Sequence, residues 1–155
     1  MLEGYPVVTD VVVRWGDLDL LGHVNNIKYL QYFETARIEY LMKAGLEAPG
    51  SAWREFGFVL ASVDCRFRAP VTFPDTLSVG ARVSALGKDR MVVQHAVRSH
   101  KLNKLAANGN AVLVAYDFAA GRPVSISPSL KERISGLEGK ELPPPPSIKQ
   151  LRRNA

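Results

Sequence analysis

The chain has 155 residues, a length that suits one domain and leaves little room for two. Its 46% hydrophobic and 23% charged residues are close to the usual globular mixture, which excludes wholesale disorder and a fibrous repeat. The net charge is +5, and residues 122–155 hold seven Lys and Arg against three Glu, so the basic excess lies mainly near the C-terminus. A basic surface attracts phosphate-bearing ligands, nucleic acid or anionic lipid, or serves solubility alone.

Targeting and metal-binding signals are absent from the sequence. The longest stretch without a charged residue, Leu105 to Tyr116, has twelve residues, whereas a membrane-spanning helix needs about 20. The N-terminus has neither a basic start nor a long apolar run, so we expect no secretory signal and a cytoplasmic protein. The single cysteine, Cys65, excludes an internal disulfide and a cysteine-based zinc cage, and no histidine spacing suggests a metal.

The first elements are a strand, a loop and a long helix. Val7 to Trp15 is rich in β-branched residues and predicts a strand. A loop from Gly16 to Asn26 follows, and Ile27 to Ala44 predicts a helix that Asn25 or Asn26 caps and Gly45 ends. Apolar residues lie around much of this helix, so we expect it to be buried on most sides.

After a loop at residues 49–54 the apolar residues alternate with period two, which predicts strands. The predicted strands cover residues 58–65, 77–86, 91–97 and 111–118, with turns at 73–75, 87–89 and 103–110 and a short helix at 129–136. We assign residues 1–142 to a single domain. Four prolines at 143–146 open a basic tail, 143–155, that we expect to be extended or disordered.

This order of elements predicts an α+β fold in which an antiparallel sheet of about five strands wraps around one long helix. Apolar residues on both alternation sets of the strands indicate that something covers the second face or edge of the sheet. A homodimer is the simplest cover, because identical edges pair across a two-fold axis.

The densest cluster of polar groups lies between the first strand and the helix. Two acids, a histidine and two asparagines fall within ten residues: Asp17, Asp19, His23, Asn25 and Asn26. A helix start presents free N–H groups and a partial positive charge, which stabilise an oxyanion. A carboxylate beside it can attack a carbonyl held there or activate water. Such residues also cap helices and form turns, and that purely structural interpretation stays open.

This cluster resembles a family motif. The pattern Asp17-x-Asp19-x-x-Gly22-His23-Val24-Asn25-Asn26-x-x-Tyr29 is similar to the hot-dog thioesterases, in particular the hydroxybenzoyl-CoA and acyl-CoA thioesterase branch. The His-Val-Asn-Asn-x-x-Tyr part also resembles plant acyl-carrier-protein thioesterases, although Leu21 stands where those enzymes carry Asn. A second, weaker match runs from Arg66 to Leu77. The resemblance implies a hot-dog fold and favours an aliphatic acyl substrate, as in fatty acid metabolism.

The resemblance also implies thioester hydrolysis without a cofactor. By position, Asp19 is the nucleophile or general base, and the backbone N–H of Asn26 polarises the thioester carbonyl. His23 and Asn25 then orient water or substrate. Some hot-dog enzymes use a helix acid instead, but the i,i+3 spacing of Glu34 and Arg37 predicts an ion pair.

A coenzyme A (CoA) or carrier-protein thioester needs cations and an apolar wall. Arg66, Arg68 and Arg90 are candidates for binding phosphate, and Tyr29 for lining the acyl channel. The alternatives are a hot-dog enoyl hydratase or dehydratase, or a non-catalytic protein that binds acyl thioesters or acyl carrier protein. Nucleic-acid binding is not expected, because basic and aromatic residues are not interleaved in one patch. The predicted assembly is a homodimer or tetramer.

Overall fold

The computed structural model describes residues 2–46 and 56–146. The predicted loop at 49–54 and the last part of the tail, 147–155, lie outside these ranges. The described ranges contain two helices and seven strands: β1 Val7–Val12, α1 Asn26–Lys43, β2 Phe56–Val63, β3 Arg66–Phe67, β4 Thr76–Leu86, β5 Arg90–Ser99, β6 Lys104–Asp117, β7 Arg122–Pro123 and α2 Pro128–Glu138. A 3₁₀ turn, Trp15–Asp17, follows β1.

The strands form one antiparallel sheet in the order β1-β4-β5-β6-β2, and the two-residue strands β3 and β7 also pair with β6. The five long strands and the single long helix confirm the predicted α+β architecture. Helix α1 packs against β1, β4 and β5. At the centre of this contact the ring of Phe33 stacks on His95 of β5, with centroids 4.6 Å apart.

Helix α1 begins and ends where the sequence predicts. The side chain of Asn25 accepts a hydrogen bond from the backbone N–H of Ile27 at 3.2 Å, and Gly45 adopts a φ of +88°, a left-handed conformation that favours glycine. The buried side chains form one stripe: Tyr29, Tyr32, Phe33, Ala36, Arg37, Tyr40 and Leu41. Ile27, Leu30 and Met42 on the other side are exposed. The expectation of burial on most sides is therefore wrong for a single chain.

The first strand is shorter than predicted, because it ends at Val12 rather than Trp15. The backbone N–H of Val13 donates to the carbonyl of Asp75 instead of continuing the ladder with β4. Trp15 turns outward, is 73% exposed, and packs edge-on against Phe73.

The turn predicted at residues 103–110 is wrong, because β6 already begins at Lys104. Asn108, Gly109 and Asn110 lie in this strand, which β5 and β3 flank on its two sides, and only Asn103 lies in a turn. The chain crosses so closely here that a Cβ on Gly109 would stand 2.0 Å from the carbonyl oxygen of Asp64. Asn110 donates to the Asp64 carboxylate at 3.2 Å. Residues typical of turns therefore serve a close crossing.

Helix α2 closes the far end of the fold, where the sequence predicts a short helix. Glu138 of α2 accepts hydrogen bonds from the Tyr40 hydroxyl and from the Val83 backbone N–H, both at 2.7 Å. Beyond α2, the Pro143 carbonyl accepts from the Leu86 N–H at 2.8 Å, so the proline run begins in contact with β4. Neither helix in the described ranges has the length and hydropathy to cross a bilayer.

Candidate active site

The loop before α1 folds into a small hairpin. Leu18 and Val24 form an antiparallel bridge, the N–H of Asp19 donates to the His23 carbonyl at 2.8 Å, and the N–H of Asn25 donates to the Asp17 carbonyl at 2.8 Å. The tip contains Gly22 with a φ of +76°. The polar residues of the motif are thereby held beside the start of the helix.

The carboxylate of Asp19 lies in this hairpin and is partly exposed. Its Oδ1 accepts from the N–H of Leu21 at 2.8 Å and of His23 at 3.4 Å. Its Oδ2 accepts no hydrogen bond from any residue in 2–46 or 56–146. One oxygen therefore orients the side chain and the other stays open for chemistry.

The start of α1 provides an unpaired donor. Asn25 is the N-cap residue, and its side chain is engaged with Ile27. The backbone N–H of Asn26, the first helical residue, donates to no acceptor within the described part of the chain. An unpaired amide at a helix N-terminus carries partial positive charge and suits a carbonyl oxygen or an oxyanion.

Strand β3 and the residues after it form the opposite wall of a cleft of about 400 Å³. Its lining comes from the hairpin, the helix start and this wall: Asp19, Leu21, His23, Val24, Asn26, Tyr29, Phe67, Arg68, Ala69 and Pro70. Five predicted site residues, Asp19, His23, Asn26, Tyr29 and Arg68, thus meet in one cleft. The fold brings Arg68 into the same cleft as Asp19, although the two residues are more than forty positions apart in the sequence.

Tyr29 and Arg68 give the cleft an apolar floor and a positive edge. The Tyr29 ring is buried and packs edge-on against Phe67, with centroids 5.2 Å apart. Burial, with smaller contributions from Cys65 and Asp75, raises the pKa of Tyr29 to about 12, so its hydroxyl stays neutral. Arg68 is exposed, and its Nε donates to Asn108 at 2.5 Å.

Other predicted binding residues lie outside the lining. Arg66 is exposed on β3, and Asn25 serves as the cap. Arg90 is paired with its neighbour Asp89 at 2.8 and 3.1 Å, and it lies opposite Val114, seven positions along β6 from the residue opposite Phe67. That spacing is roughly 23 Å of strand, so the structure does not bring Arg90 to the cleft.

Glu34 lies on the exposed side of α1 and does not line the cleft. Its Oε1 is 3.8 Å from Nη2 of Arg37, as the i,i+3 spacing predicts. In the described ranges no group of three His, Cys, Asp or Glu side chains lies close enough to hold a metal ion. Reaction without a cofactor stays a prediction.

Sequence reasoning allowed for backbone amide contacts of Asp17 but did not single out its contacts with Tyr32 and Lys28. This carboxylate is buried and accepts from the Arg14 N–H and the Tyr32 hydroxyl, both at 2.9 Å, while Lys28 Nζ lies at 3.4 Å. Although burial opposes the charge, these contacts together hold the pKa of Asp17 below its ordinary value. The i,i+4 spacing of Lys28 and Tyr32, which places both on one helix face, is the signal that could have pointed to them.

A second cavity of about 350 Å³ lies at the other end of α1. The described residues that line it are mostly apolar, with Leu46, Phe58 and Ile126 among them, and the polar ones are Ser125 and Ser127. Among these described lining residues no carboxylate or histidine lies beside the serines.

Known proteins match this chain over the hairpin, α1 and the cleft wall. Residues 13–134 match a family described as the thioesterase-like superfamily. A crystal structure of a thioesterase from Thermus thermophilus, complexed with coenzyme A and Zn, is 36% identical in sequence. It superposes with a TM-score of 0.79 over 91% of this chain and 100% of that chain.

Two curated relatives are more distant in sequence. The long-chain acyl-CoA thioesterase FadM of Escherichia coli is 24% identical over 83% of this chain and 97% of its own length. The chloroplastic acyl-acyl carrier protein thioesterase ATL3 of Arabidopsis thaliana is 27% identical over 81% of this chain and 65% of its own length.

Proposed function

Because the chain belongs to the thioesterase-like superfamily, we propose that it hydrolyses acyl-CoA thioesters to the free acid and CoA. Membership confirms the family resemblance of the motif, the hot-dog fold and the thioester hydrolase activity. The observation that carries the substrate and site proposal is the cleft itself. Asp19 and Asn26 both line this cleft of about 400 Å³, and within the described part of the chain Oδ2 of Asp19 and the N–H of Asn26 have no hydrogen-bond partner.

In the proposed reaction the thioester carbonyl oxygen accepts a hydrogen bond from the Asn26 N–H. The helix start lies behind that amide and stabilises negative charge as it develops on the oxygen. Asp19 then either attacks the carbonyl carbon or removes a proton from the water that attacks it. When Asp19 attacks, the C–S bond breaks, the sulfur leaves as thiolate, and water then hydrolyses the acyl–Asp19 anhydride to the free acid and restores the carboxylate. When Asp19 acts as base, the water adds its oxygen to the carbonyl carbon, the C–S bond breaks, and the proton taken from the water ends on the thiolate.

The walls of the cleft support a CoA thioester with an aliphatic acyl group. Arg68 stands at the edge, and Arg66 lies two positions before it, so both can approach the phosphates of CoA, which guanidinium groups bind bidentately. Tyr29, Leu21 and Phe67 offer apolar surface to the acyl group. His23 lines the cleft beside Asp19, where it orients water or substrate.

We propose that the active form is a homodimer or a pair of dimers. Leu60 on the edge strand β2, and Ile27 and Leu30 on α1, are 45%, 62% and 37% exposed in the single chain. An exposed strand edge and exposed apolar helix residues are surfaces of the kind that a second copy of the chain covers. Sedimentation equilibrium measures this directly, and a monomer at micromolar concentration would contradict it.

The test of the function is thiol release from acyl-CoA thioesters of graded chain length. We expect the wild type to release CoA, and Asp19→Asn to keep its melting temperature while losing about 10²- to 10⁴-fold in kcat. Asp10→Asn is the matched control, because Asp10 is an exposed aspartate on β1 outside the cleft. If Asp19→Asn released CoA at the wild-type rate, the proposed catalytic role of Asp19 would be wrong.

The similarity to ATL3 favours one alternative substrate, an acyl-carrier-protein thioester. Parallel assays with acyl-CoA and with the same acyl group on carrier protein separate the two. If kcat/KM were at least tenfold higher for the carrier-protein thioester, that thioester, rather than acyl-CoA, would be the proposed substrate. Absorbance of crotonyl-CoA in the same series tests the hydratase alternative.

A further inference from the structure

The buried carboxylate of Asp17 joins the hairpin to the second turn of α1. Asp17 lies at the base of the hairpin, two residues before Asp19, and its side chain contacts the hydroxyl of Tyr32 and the ammonium of Lys28. Among the described residues, the hairpin also makes a backbone hydrogen bond to the cleft wall, from the Val24 N–H to the Val71 carbonyl at 2.8 Å, and the Val24 side chain is buried in the core. That hydrogen bond anchors the hairpin to the cleft wall rather than to the helix.

Tyr32 is placed to act on the cleft without touching it. Its ring is buried, 5% exposed, and its hydroxyl donates to Oδ2 of Asp17 at 2.9 Å. It does not line the cleft that holds Asp19 and Asn26. Burial, together with the Asp17 carboxylate, raises the pKa of Tyr32, so the hydroxyl is a permanent donor.

We propose that Tyr32 is a positioning residue that, through Asp17, fixes the hairpin carboxylate of Asp19 against the helix amide of Asn26. This inference rests on the proposed function. The two reacting groups belong to different elements. The Asp17 backbone carbonyl already bonds the N-cap residue Asn25, and the Asp17 side chain adds a link from the hairpin base to the second turn of the helix. A displacement of about 1 Å between reacting groups is enough to cost about 100-fold in rate.

The other end of α1 offers a matched control. Tyr40 is also buried, and its hydroxyl also donates to a carboxylate, Glu138, at 2.7 Å. It lies eight residues further along the same helix, at the end remote from the cleft. Tyr32→Phe and Tyr40→Phe therefore remove the same atom from the same kind of contact, but only the first contact involves the hairpin.

The test compares kcat, KM and melting temperature of these two variants with one acyl-CoA that the wild type hydrolyses. We expect Tyr32→Phe to lose about tenfold in kcat with KM within twofold, because substrate binding by the cleft walls is kept. Tyr40→Phe is expected to lower the melting temperature at least as much and to keep kcat within twofold. Equal kcat values for the two variants would overturn the proposal.

Substitutions of Asp17 give a second readout that does not depend on Tyr32 variants folding. Asp17→Asn keeps an acceptor for the hydroxyl and is expected to retain more kcat than Asp17→Ala. Adding Tyr32→Phe to Asp17→Ala should lower kcat no further, because both remove one link. Additive losses in kcat would contradict the proposal. An inactive wild type, or an unaffected Asp19→Asn, would instead count against the proposed function.

Discussion

The two ends of α1 contain the same kind of hydrogen bond but border different structures. At each end a buried tyrosine donates its hydroxyl to a carboxylate, Tyr32 to Asp17 and Tyr40 to Glu138. At the first end the carboxylate belongs to a hairpin that borders an open polar cleft. At the second end it belongs to α2, whose Leu130 and Ile134 are buried in the core.

The difference follows from the direction of the helix. The N-terminus exposes amides that have no partner within the helix, so an anion or a carbonyl is stabilised there. At the C-terminus the chain supplies its own cap: Gly45 donates to the Met42 carbonyl and Leu46 to the Leu41 carbonyl, at 2.9 and 3.0 Å. The amides that could stabilise a reacting group therefore lie at the N-terminus of α1, whereas the C-terminus of α1 is capped by the chain itself.

The largest effect is expected at the crossing that forms the cleft wall. In Gly109→Ala the new Cβ would meet the Asp64 carbonyl at 2.0 Å and the Phe33 ring at 3.0 Å, so the segment leading to Arg66 and Arg68 must move. We expect a loss of about 3 kcal/mol in the free energy of unfolding and a loss of thioesterase activity. Chemical denaturation and thiol release measure the two.

Gly136→Ala, in α2, is the matched control for that substitution. A Cβ on Gly136 meets no atom within 4 Å, and alanine suits a helix better by roughly 0.5–1 kcal/mol, so we expect slightly higher stability and unchanged kcat. If Gly109→Ala were as stable as Gly136→Ala, the close crossing would not be what requires the glycine.

A smaller effect is expected at the closed end of α1. Glu138→Ala removes the acceptor of the Tyr40 hydroxyl and of the Val83 N–H, and leaving such groups unpaired costs about 1–3 kcal/mol. The melting temperature should fall while kcat stays within twofold of the parent. Glu141→Ala, at an exposed position just beyond α2, serves as the control. A drop in kcat for folded Glu138→Ala would show that this end also shapes the cleft.

The effect that is smallest at neutral pH, and that grows only as the pH falls, concerns His95, midway beneath α1. Burial, and then the charge of Arg37, lowers the pKa of His95 to about 3, below its ordinary 6.5, so the folded state keeps the ring neutral. The unfolded chain binds this proton as the pH falls below about 6.5. Stability contributed by the neutral ring is therefore present above that pH and declines between 6.5 and 3, by up to about 1.4 kcal/mol per pH unit.

Denaturation at a series of pH values checks this slope. His95→Phe should flatten it between pH 6.5 and 4.5, and His100→Phe, at a histidine whose side chain is 47% exposed, is the matched control. An identical slope in the parent and in His95→Phe would refute the assignment. Neither His95 nor His100 lines the cleft, so kcat per folded molecule should be the same in the wild type and in both variants.

Local patterns in the sequence were sufficient for most elements. The helix begins beside Asn25 and ends before Gly45 because caps depend on residues within one turn. The alternating segments became β4 and β5 within two residues of their predicted limits. The turn prediction at 103–110 failed because Gly109 and Asn110 contact Asp64 at the crossing, more than forty positions away in the sequence.

The sequence by itself determined the strand and helix periods, the caps and the motif that carries Asp19 and Asn26, since each depends on neighbours in the chain. Only the tertiary structure decided that Phe67 and Arg68 close the cleft, that Arg90 stays away from it, and that Tyr32 reaches Asp17. Those outcomes depend on how β3 and β5 pair along β6 and on which face α1 turns toward the hairpin. No short-range pattern encodes them, because each joins segments that meet only when the sheet curves around the helix.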